Sequence, residues 1–393
     1  MRILCLNQFF HPDTAATGQI LSDLTRELAA QGHEVTVICG KSAYGESDPA
    51  APPPVTIVRS KPLPFSRSYH GRIGSYASYF ITAIVQSLRC RRPDVILTLT
   101  TPPLLSLVGT LIKHLRGARH FIWEMDLYPD VAVDLGLFGA DSLVARTIGS
   151  LADYSRDKAN GVIALGDDMS ERLINRGMSP DKVHVVQNWA DRAEIRPHPF
   201  QELPLTLYYS GNLGLAHDIS TIQQVMLSVA GDDRFKFVFA GGGPQRKTLQ
   251  DFCEHHGLRQ VTFPPYCGRA QLSHNLSTGH LGLVTQKPQT TGSIVPSKVY
   301  GIMAAGRPLL YIGSRCATPA RIIDHFQCGW QVEAGASEAL VALLKRLVNR
   351  PDEIREAGAR ARQAFIDNFD RRIGVARIAA IIGAEPRRAA ATA

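Results

Sequence analysis

Residues 291–313, TGSIVPSKVYGIMAAGRPLLYIG, predict a loop, a short helix and a strand in that order. Pro296 and Ser297 suit the first positions of a helix, and Gly306 suits the turn that ends one. Pro308 prevents the helix from continuing into the apolar run that follows. A short helix between such a loop and a buried strand is the repeating element of a parallel α/β sheet.

Lys298 falls in the first turn of this predicted helix. A cation is unfavourable there for the helix dipole but useful to a phosphate, which the unpaired first-turn amides would also bind. Gly301 lies inside the helix, where glycine costs about 1 kcal/mol relative to alanine, so we expect another group to pack directly on the backbone there. The segment predicts a phosphate site, and an ordinary strand-helix-strand repeat with a surface lysine is the alternative.

The chain of 393 residues, 45% of them hydrophobic, is long enough for two domains with separate cores. Its seven cysteines include no C-x-x-C pair, which indicates a reducing compartment and no structural zinc site. The N-terminal apolar run is too short for a signal-peptide core and favours a buried strand. No apolar stretch reaches the roughly 20 residues of a membrane-spanning helix. We therefore expect a cytoplasmic protein.

The net charge of +8 permits nucleic acid, anionic lipid or a phosphorylated small molecule as a partner. A basic cluster at 67–92 brackets an aromatic-rich helix candidate. Its members are Arg67, His70, Arg72, Arg89, Arg91 and Arg92, with Tyr69, Tyr76, Tyr79 and Phe80 between them. This composition is typical of peripheral contact with the inner face of the plasma membrane, and a solvated basic helix is the alternative. No nucleic-acid-binding module accompanies the charge, so nucleic acid is not expected.

Short β-branched runs alternate with amphipathic helices in both halves of the chain, which predicts an α/β protein with two doubly wound, Rossmann-like parallel sheets facing a central cleft. The proline-rich segment 196–205 predicts a linker. We expect domains at 1–197 and 198–371, with a helix at about 372–393 that packs back on the first. The predicted strands are 2–6, 34–38, 55–58, 95–99, 120–124, 161–165 and 183–186, then 205–210, 235–240, 260–263, 281–284 and 309–312.

Glycine-rich loops follow two predicted strands of the second half: a first glycine loop at 210–214 and a second glycine loop at 241–244. Glycine adds no side-chain bulk, so backbone amides there can approach a phosphate. With the turn at 296–298, these loops favour a nucleotide site over structural turns. The chain has no G-x-x-x-x-G-K-[ST] sequence, which excludes an ATPase P-loop, and no G-x-G-x-x-G after the first strand. Gly18 in that N-terminal loop is a candidate sugar or phosphate contact, and a plain turn is the alternative.

Acidic residues cluster after the predicted strand 120–124, in EMDLYPDVAVDLGLF, with no lysine or arginine nearby in the sequence. Acids at a strand end suit hydroxyl binding or proton transfer. Asp126 is the first catalytic candidate, followed by Glu124 and Asp130. Their spacing matches no recognised metal pattern, so no metal is expected. The histidines, His217 among them, show no ligand spacing and are expected in surface or packing roles.

Taken in order, these motifs resemble a family 4 glycosyltransferase of the GT-B fold over the whole chain. MRILCLNQFFHPD and TGQILSDLTRELAAQGHEVTVICG resemble the acceptor-side domain of that family. MDLYPDVAVDLGLF resembles the D-L-W-P-E-x-A-V-x-L-G segment of members that build bacterial surface polysaccharides of the colanic acid or O-antigen type. YSGNLGLAHD, VFAGGGPQ, VPSKVYGIMAAGRP and CGWQV resemble the donor-side domain. The ordered set is specific, although no single motif is.

The resemblance, added to the loop signals above, gives a set of candidate donor-binding residues. They are Gly18, Ser210, Gly211, Asn212, Gly242, Gly243, Ser293, Ile294, Val295, Pro296, Ser297 and Lys298. The paired glutamates of the family would fall at Ser293 and Gly301, so the ribose must be held differently here. The basic pair that usually neutralises the diphosphate would fall at Asn212 and His217. Lys298, with Arg269 as a further candidate, is left to supply the charge.

The resemblance implies transfer of a sugar from a nucleotide diphosphate with retention of configuration and without a metal. We therefore expect a hexosyl-type glycosyltransferase that uses a UDP- or GDP-sugar and a polyprenyl-diphosphate-linked saccharide acceptor. A nucleotide-sugar epimerase of the same architecture is one alternative, and it would act without an acceptor. A catalytically silent nucleotide-sugar-binding protein is the other, because both glutamates are absent.

Overall fold

A computed structural model describes residues 1–13, 15–40, 51–60, 69–265 and 268–383. At positions 69–73, 75, 269 and 270 the description covers the backbone alone. The chain divides into two compact units. The first unit is Met1–Gln187 with the chain from Gly374 onward, and the second is Asn188–Ile373.

The first unit is built on a seven-stranded parallel sheet with the order β3-β2-β1-β4-β5-β6-β7. The elements are β1 (Arg2–Leu6), α1 (Ala16–Ala30), β2 (Glu34–Cys39), β3 (Thr56–Arg59), α2 (Tyr69–Arg89), β4 (Val95–Leu99), α3 (Ser106–Arg116), β5 (Arg119–Trp123), α4 (Asp130–Asp134), α5 (Leu143–Lys158), β6 (Gly161–Ala164), α6 (Asp167–Asn175) and β7 (Val183–Val185). The strand order reverses between β1 and β4, and the loops that follow these strands lie side by side at the carboxyl edge. The predicted doubly wound sheet is confirmed.

The second unit repeats this design with six parallel strands in the order β10-β9-β8-β11-β12-β13. The elements are β8 (Leu205–Ser210), α7 (Ser220–Ser228), β9 (Phe235–Ala240), α8 (Pro244–His255), β10 (Val261–Thr262), α9 (Arg269–Thr278), β11 (Leu281–Thr285), α10 (Lys298–Ala304), β12 (Leu309–Ile312), α11 (Thr318–Phe326), β13 (Gly329–Val332), α12 (Ser337–Leu347) and α13 (Pro351–Asn368), and α14 (Arg371–Ile381) follows. Two short 3-10 turns lie at Pro180–Lys182 and Pro288–Thr290.

Strand β13 was not predicted. It pairs in parallel with β12 at the edge of the sheet, and three of its four residues are only half-buried. Its first residue, Gly329, passes so close to the backbone of Leu309 that a Cβ there would overlap it. A short edge strand that begins with glycine lacks the continuous apolar run that marks a central strand such as β4 or β11, whose residues are all buried.

Helix α10 begins at Lys298, two residues later than the Pro296 start predicted from the sequence. It ends at Ala304, and Gly306 follows in the left-handed region with φ of 67°. That conformation is easy only for glycine, so the predicted C-terminal stop is confirmed. Pro308 then precedes β12, as expected. The strand-helix-strand unit thus forms where the sequence predicts it.

Among the described residues, no group packs so closely on the backbone of Gly301 that it would exclude a side chain, and packing of a ligand there stays a prediction. A Cβ at this position would lie 3.6 Å from Cδ1 of Leu276 and 3.9 Å from Cδ1 of Ile195, which are ordinary van der Waals distances. The helix therefore has room for a methyl group. The glycine costs helical stability without a steric reason in the second unit.

Gly301→Ala should leave the protein as stable as the wild type or stabilise it by up to about 1 kcal/mol, because alanine favours the helix and meets no obstacle. Gly306→Ala is the matched control. It forces a side chain into the left-handed region, with its Cβ 3.3 Å from Pro197, and should lower the melting temperature. Chemical denaturation of both variants measures the difference, and a strongly destabilised Gly301→Ala protein would contradict the observed packing.

The boundary between the units lies ten residues before the predicted end of the first domain at 197. Residues 188–197 belong to the second unit, and hydrogen bonds to their backbone carbonyls hold them to α13 and α14. The amide of Arg371 donates to the carbonyl of Ala190 at 2.9 Å, and Arg362 Nη1 donates to the carbonyl of Ile195 at 3.2 Å. The chain returns to the first unit within α14, and Arg119 Nη2 donates to the carbonyl of Ile382 at 2.9 Å.

Within the described ranges, no helix combines the length and the apolar character needed to cross a bilayer.

Candidate functional site

The two glycine loops touch each other at the carboxyl edge of the second sheet. Gly211 N donates to the carbonyl of Ala240 at 2.9 Å, and Leu213 N donates to the carbonyl of Gly242 at 2.7 Å. A Cβ at Gly243 would overlap the backbone of Leu213. Because the loops pack backbone against backbone, there is little room for a side chain where they touch. Gly241 and Gly243 are required for this approach whether or not a phosphate binds, whereas a Cβ at Gly242 would meet nothing within 4 Å.

Lys298, the first residue of α10, reaches the first glycine loop. A Cβ at Gly211 would lie 2.9 Å from Lys298 Cε, so the glycine leaves space for the lysine stem. The ammonium nitrogen lies 5.1 Å from the centroid of the Tyr209 ring and 3.5 Å from Nε2 of His217. Burial lowers the pKa of Lys298 to about 8. In the part of the chain that the structure describes, no carboxylate pairs with this ammonium, so its charge is available to an anion.

His217 contacts Lys298 through a nitrogen that carries no proton. Its Nδ1 lies 2.7 Å from the carbonyl oxygen of Thr285, which can only accept, so we assign the ring proton to Nδ1. Nε2 then presents its lone pair to Lys298, and the Tyr209 hydroxyl, 3.1 Å from Nε2, donates its proton to the carbonyl of Asn212. Burial, with the nearby Lys298 charge, lowers the pKa of His217 to about 4. The imidazole is therefore neutral near pH 7.

The sequence spacing did not point to His217, which was expected in a surface or packing role. Only the resemblance gave a signal, because it placed one member of the basic pair at this position. Gln245 in the first turn of α8 holds the segment in place through a hydrogen bond from Nε2 to the carbonyl of His217 at 3.1 Å. Tyr209 in β8, Gln245 in α8 and Thr285 in β11 thus position His217.

Gln286 and Tyr311 brace the loop before α10, and the sequence did not single out either residue. Gln286 is buried, and its Nε2 donates to the carbonyls of Thr290 and Ile294, both at 3.0 Å. Its Oε1 accepts a hydrogen bond from the Tyr311 hydroxyl at 3.0 Å. The hydroxyl of Ser293 donates to the carbonyl of Thr290 at 3.1 Å and is fully buried. The Ser293 hydroxyl and the Ile294 carbonyl therefore help to fix the shape of the loop.

The other donor-side candidates differ in exposure. Val295 and Pro296 are buried, whereas Ser297 is exposed. The carbonyl of Asn212 accepts a hydrogen bond from the Tyr209 hydroxyl at 2.7 Å. The side chain of Arg269 lies outside the described residues. Of the cations proposed from the sequence, Lys298 is the one that the structure places at the glycine loops.

Gly18 lies near the start of α1 in the first unit, against the loop that follows β1. A Cβ on this residue would lie 3.2 Å from the backbone carbonyl carbon of Phe9 and 3.3 Å from the amide nitrogen of Phe10. The side chain of Asn7 in the same loop donates to the carbonyl of Phe9 at 2.6 Å. The absence of a side chain at Gly18 lets this loop pack on the helix. A direct contact with the donor stays a prediction.

The acidic segment after β5 carries an extensive ion-pair network, and its arginines come from positions more than 15 residues further along the chain. The pairs are Glu124–Arg156 (2.8 Å), Asp153–Arg156 (3.0 Å), Asp130–Arg172 (2.9 Å), Asp134–Arg172 (2.8 Å), Asp130–Arg176 (3.2 Å) and Asp153–Arg176 (2.6 Å). The arginines come from α5 and the end of α6, which pack beside the acidic segment. Glu124 and Asp130 therefore serve as buried counter-ions, and a catalytic role for either stays a prediction.

Asp126 differs from its acidic neighbours because its carboxylate has no hydrogen-bond or ion-pair partner among the residues that the structure describes. Its amide donates to Thr100 Oγ1 at 3.3 Å, which fixes the backbone at the carboxyl edge of the first sheet. Burial, with the nearby charge of Glu124, raises the pKa of Asp126 to about 6. A half-buried carboxyl group with this pKa is suited to accept a proton near neutral pH.

Across the described residues, no three histidine, cysteine, aspartate or glutamate side chains are grouped as a metal site.

The basic aromatic cluster at 67–92 is organised differently from the expectation. Tyr79 is fully buried, with its hydroxyl bonded to the carbonyl of Ile38 at 3.0 Å, and Phe80 packs against the core. Arg91 pairs with Glu34 at 3.2 Å. Arg67 and the side chains of Tyr69, His70 and Arg72 lie outside the described residues. The two aromatic side chains at 79 and 80 therefore do not form an outward-facing membrane contact.

Two family models together cover most of the chain. A model described as "Glycosyl transferase 4-like domain" matches residues 16–189, and one described as "Glycosyl transferases group 1" matches residues 191–364. The chain is 25% identical to the probable glycosyltransferase WbjE of Pseudomonas aeruginosa, over 97% of each protein. It is also 25% identical to the putative colanic acid biosynthesis glycosyl transferase WcaI of Escherichia coli K12, over 89% of this chain and 93% of WcaI.

Solved structures share the architecture at low sequence identity. Anabaena Alr3699/HepE, crystallised in complex with UDP-glucose, matches 98% of this chain and 100% of its own with a TM-score of 0.73 at 14% identity. That likeness shows the fold, and the two matched models show the family. The chain belongs to family 4 of the glycosyltransferases and has the GT-B fold.

Proposed function

We propose that this glycosyltransferase moves a sugar from a UDP- or GDP-sugar to a polyprenyl-diphosphate-linked saccharide in the synthesis of a bacterial surface polysaccharide. The observation that carries the proposal is the unpaired ammonium of Lys298 beside two glycine loops. The names of WbjE and WcaI support the pathway class, and the UDP-glucose complex of HepE supports the donor class.

The donor diphosphate binds at the carboxyl edge of the second sheet in this proposal. As the sugar-phosphate bond breaks, negative charge grows on the leaving diphosphate, and a preorganised cation with backbone amides stabilises that charge. Lys298 supplies the cation, and Gly211, Gly242 and Gly243 let the amides approach. Asp126 in the first unit orients the acceptor hydroxyl or accepts its proton, a role that the leaving phosphate can share.

The decisive experiment measures binding and turnover together. UDP, GDP and their sugars are screened by calorimetry, and the donor that binds is then incubated with lipid-linked saccharides. Sugar transfer to the lipid with retention of the anomeric configuration supports the proposal. Conversion of the donor without an acceptor would instead indicate an epimerase, and binding without turnover would indicate a silent nucleotide-sugar-binding protein. Failure to bind any nucleotide diphosphate would overturn the donor assignment.

A lipid-linked acceptor requires the protein to work at a membrane surface. Helix α2 exposes an aliphatic stripe of Ile81, Val85 and Leu88, and α3 exposes Leu111 and Leu115. The two helix ends adjoin, because the guanidinium of Arg116 donates to the carbonyl of Leu88 at 2.6 Å. Neither helix contains an aspartate or glutamate. Basic residues, Arg89 in α2 and Lys113 and Arg116 in α3, lie in the last turns of these two helices. Exposed aliphatic side chains next to basic residues suit an anionic bilayer surface, so we propose that this face makes the peripheral membrane contact.

Ile81→Glu combined with Leu88→Glu should weaken binding to anionic liposomes at least tenfold, because each change removes an aliphatic anchor and adds a charge that the lipid repels. The matched control carries Leu203→Glu and Leu215→Glu, which are also exposed but lie in the second unit. Co-sedimentation measures the binding. Equal losses in both variants would show that only net charge matters, and no loss in either would exclude this face.

A further inference from the structure

We infer that His217 is a positioning residue that holds the ammonium of Lys298 with an uncharged acceptor, so that the positive charge stays available to the diphosphate of the donor. This inference rests on the proposed donor site. The inference goes beyond that site because it assigns a role to His217, at a position where the resemblance implies a cation. The chain uses one cation and one neutral imidazole there.

The direction of each hydrogen bond supports this role. The carbonyl of Thr285 fixes the proton on Nδ1 of His217, at 2.7 Å, and leaves a lone pair on Nε2. Lys298 can only donate, and its Nζ lies 3.5 Å from that lone pair. The Tyr209 hydroxyl can give its single proton to the carbonyl of Asn212, at 2.7 Å, without competing for Nε2. The arrangement accommodates a neutral histidine and opposes a protonated one.

The surroundings of Lys298 explain why a neutral partner matters. A carboxylate would hold the ammonium firmly but would cancel its charge, and a donor diphosphate would then have to displace it. The Tyr209 ring and His217 Nε2 confine the ammonium without cancelling it. Among the described residues, Tyr209 and His217 are the titratable groups seen in contact with the Lys298 ammonium, while Arg246 of the adjoining α8 donates to the carbonyls of Gly241 and Phe263.

Two variants separate the charge of the partner from its shape. His217→Asp places a carboxylate near the ammonium, and His217→Leu removes the acceptor while filling the space. The pKa of Lys298, which burial holds at about 8, should rise in the first variant and fall further in the second. Carbon NMR of labelled lysine side chains reads this pKa without any ligand, with Lys298→Arg identifying the signal. Unchanged lysine titration in both variants would overturn the inference, even if neither variant or the wild type binds a nucleotide.

The second measurement is nucleotide affinity, with UDP and GDP as probes and uridine and guanosine as controls that lack phosphate. His217→Asp should weaken diphosphate binding at least tenfold and leave nucleoside binding unchanged. In a double-mutant cycle, this loss should vanish when Lys298 is already alanine. An equal loss in the Lys298→Ala background would show that His217 acts on the fold and not through the lysine. Absence of binding in the wild type, with the lysine titration as expected, would reject the donor proposal alone.

Discussion

Lys298→Ala should weaken the binding of UDP or GDP by tenfold or more. A hydrogen bond to a charged group contributes about 1.5–3 kcal/mol, and each 1.4 kcal/mol is a factor of ten in affinity. Lys298 is the cation that the described structure places at the glycine loops, and no carboxylate there offsets it. Calorimetry with the purified protein measures the dissociation constant directly.

The same binding should depend on pH with a defined sign. The pKa of Lys298 lies near 8 without a ligand, and a bound diphosphate raises it because the anion favours the ammonium. Affinity is therefore full below pH 8 and falls as the pH rises through that value, by roughly tenfold between pH 7 and pH 9. The slope should disappear in Lys298→Ala.

Lys247→Ala is the matched control for this variant. Lys247 lies in α8, directly after the second glycine loop, and its side chain is 84% exposed. Its loss should leave nucleotide affinity unchanged, because among the described residues its ammonium pairs with Asp251 in the neighbouring turn, at 3.0 Å. Lys298→Ala should also keep its melting temperature, since a buried ammonium without a counter-ion does not stabilise the fold. Unchanged affinity in Lys298→Ala would remove the lysine from the donor site.

The elements that depend on local sequence patterns could be predicted. The apolar runs of β4 and β11 and the proline and glycine that bound α10 act within a few residues, so both parallel sheets could be predicted. The ion-pair partners of Glu124 and Asp130 could not be predicted from the sequence. Arg156 and Arg172 meet Glu124 and Asp130 only after α5 and α6 have packed beside the segment. A sequence window therefore shows acids alone where the folded protein has ion pairs.

The candidate donor site also combines features that the sequence predicts with features that it does not. Its glycine loops are visible in the sequence because only glycine allows such close backbone approach. The roles of His217 and Gln286 depend on contacts with Thr285 and Tyr311, which lie 68 and 25 residues away along the chain. Neither residue has a local pattern that would mark it. Residues that position a site through backbone carbonyls of other strands are therefore the ones that sequence reasoning misses.

Asp126→Asn should lower turnover by about 10² or more while nucleotide affinity stays near that of the wild type, because assistance by a positioned acid or base has this magnitude. The asparagine keeps the shape of the side chain and cannot take a proton. In the wild type, turnover should rise with pH through about 6, the pKa to which burial and Glu124 raise this carboxyl group. The variant should lose that rise. Steady-state kinetics across pH 5 to 8 with the transferred sugar as readout measure both effects.

Asp130→Asn separates catalysis from stability in this segment. Asp130 is paired with Arg172 and Arg176, which also pair with Asp134 and Asp153, so its neutralisation removes two ion pairs from the network and should lower the melting temperature. Asp126 has no such partner in the described structure, and removing its charge relieves repulsion from Glu124, so Asp126→Asn should melt at the wild-type temperature or slightly above it. A large fall in the melting temperature of Asp126→Asn, with activity preserved per folded molecule, would assign this carboxylate to the turn and not to the acceptor.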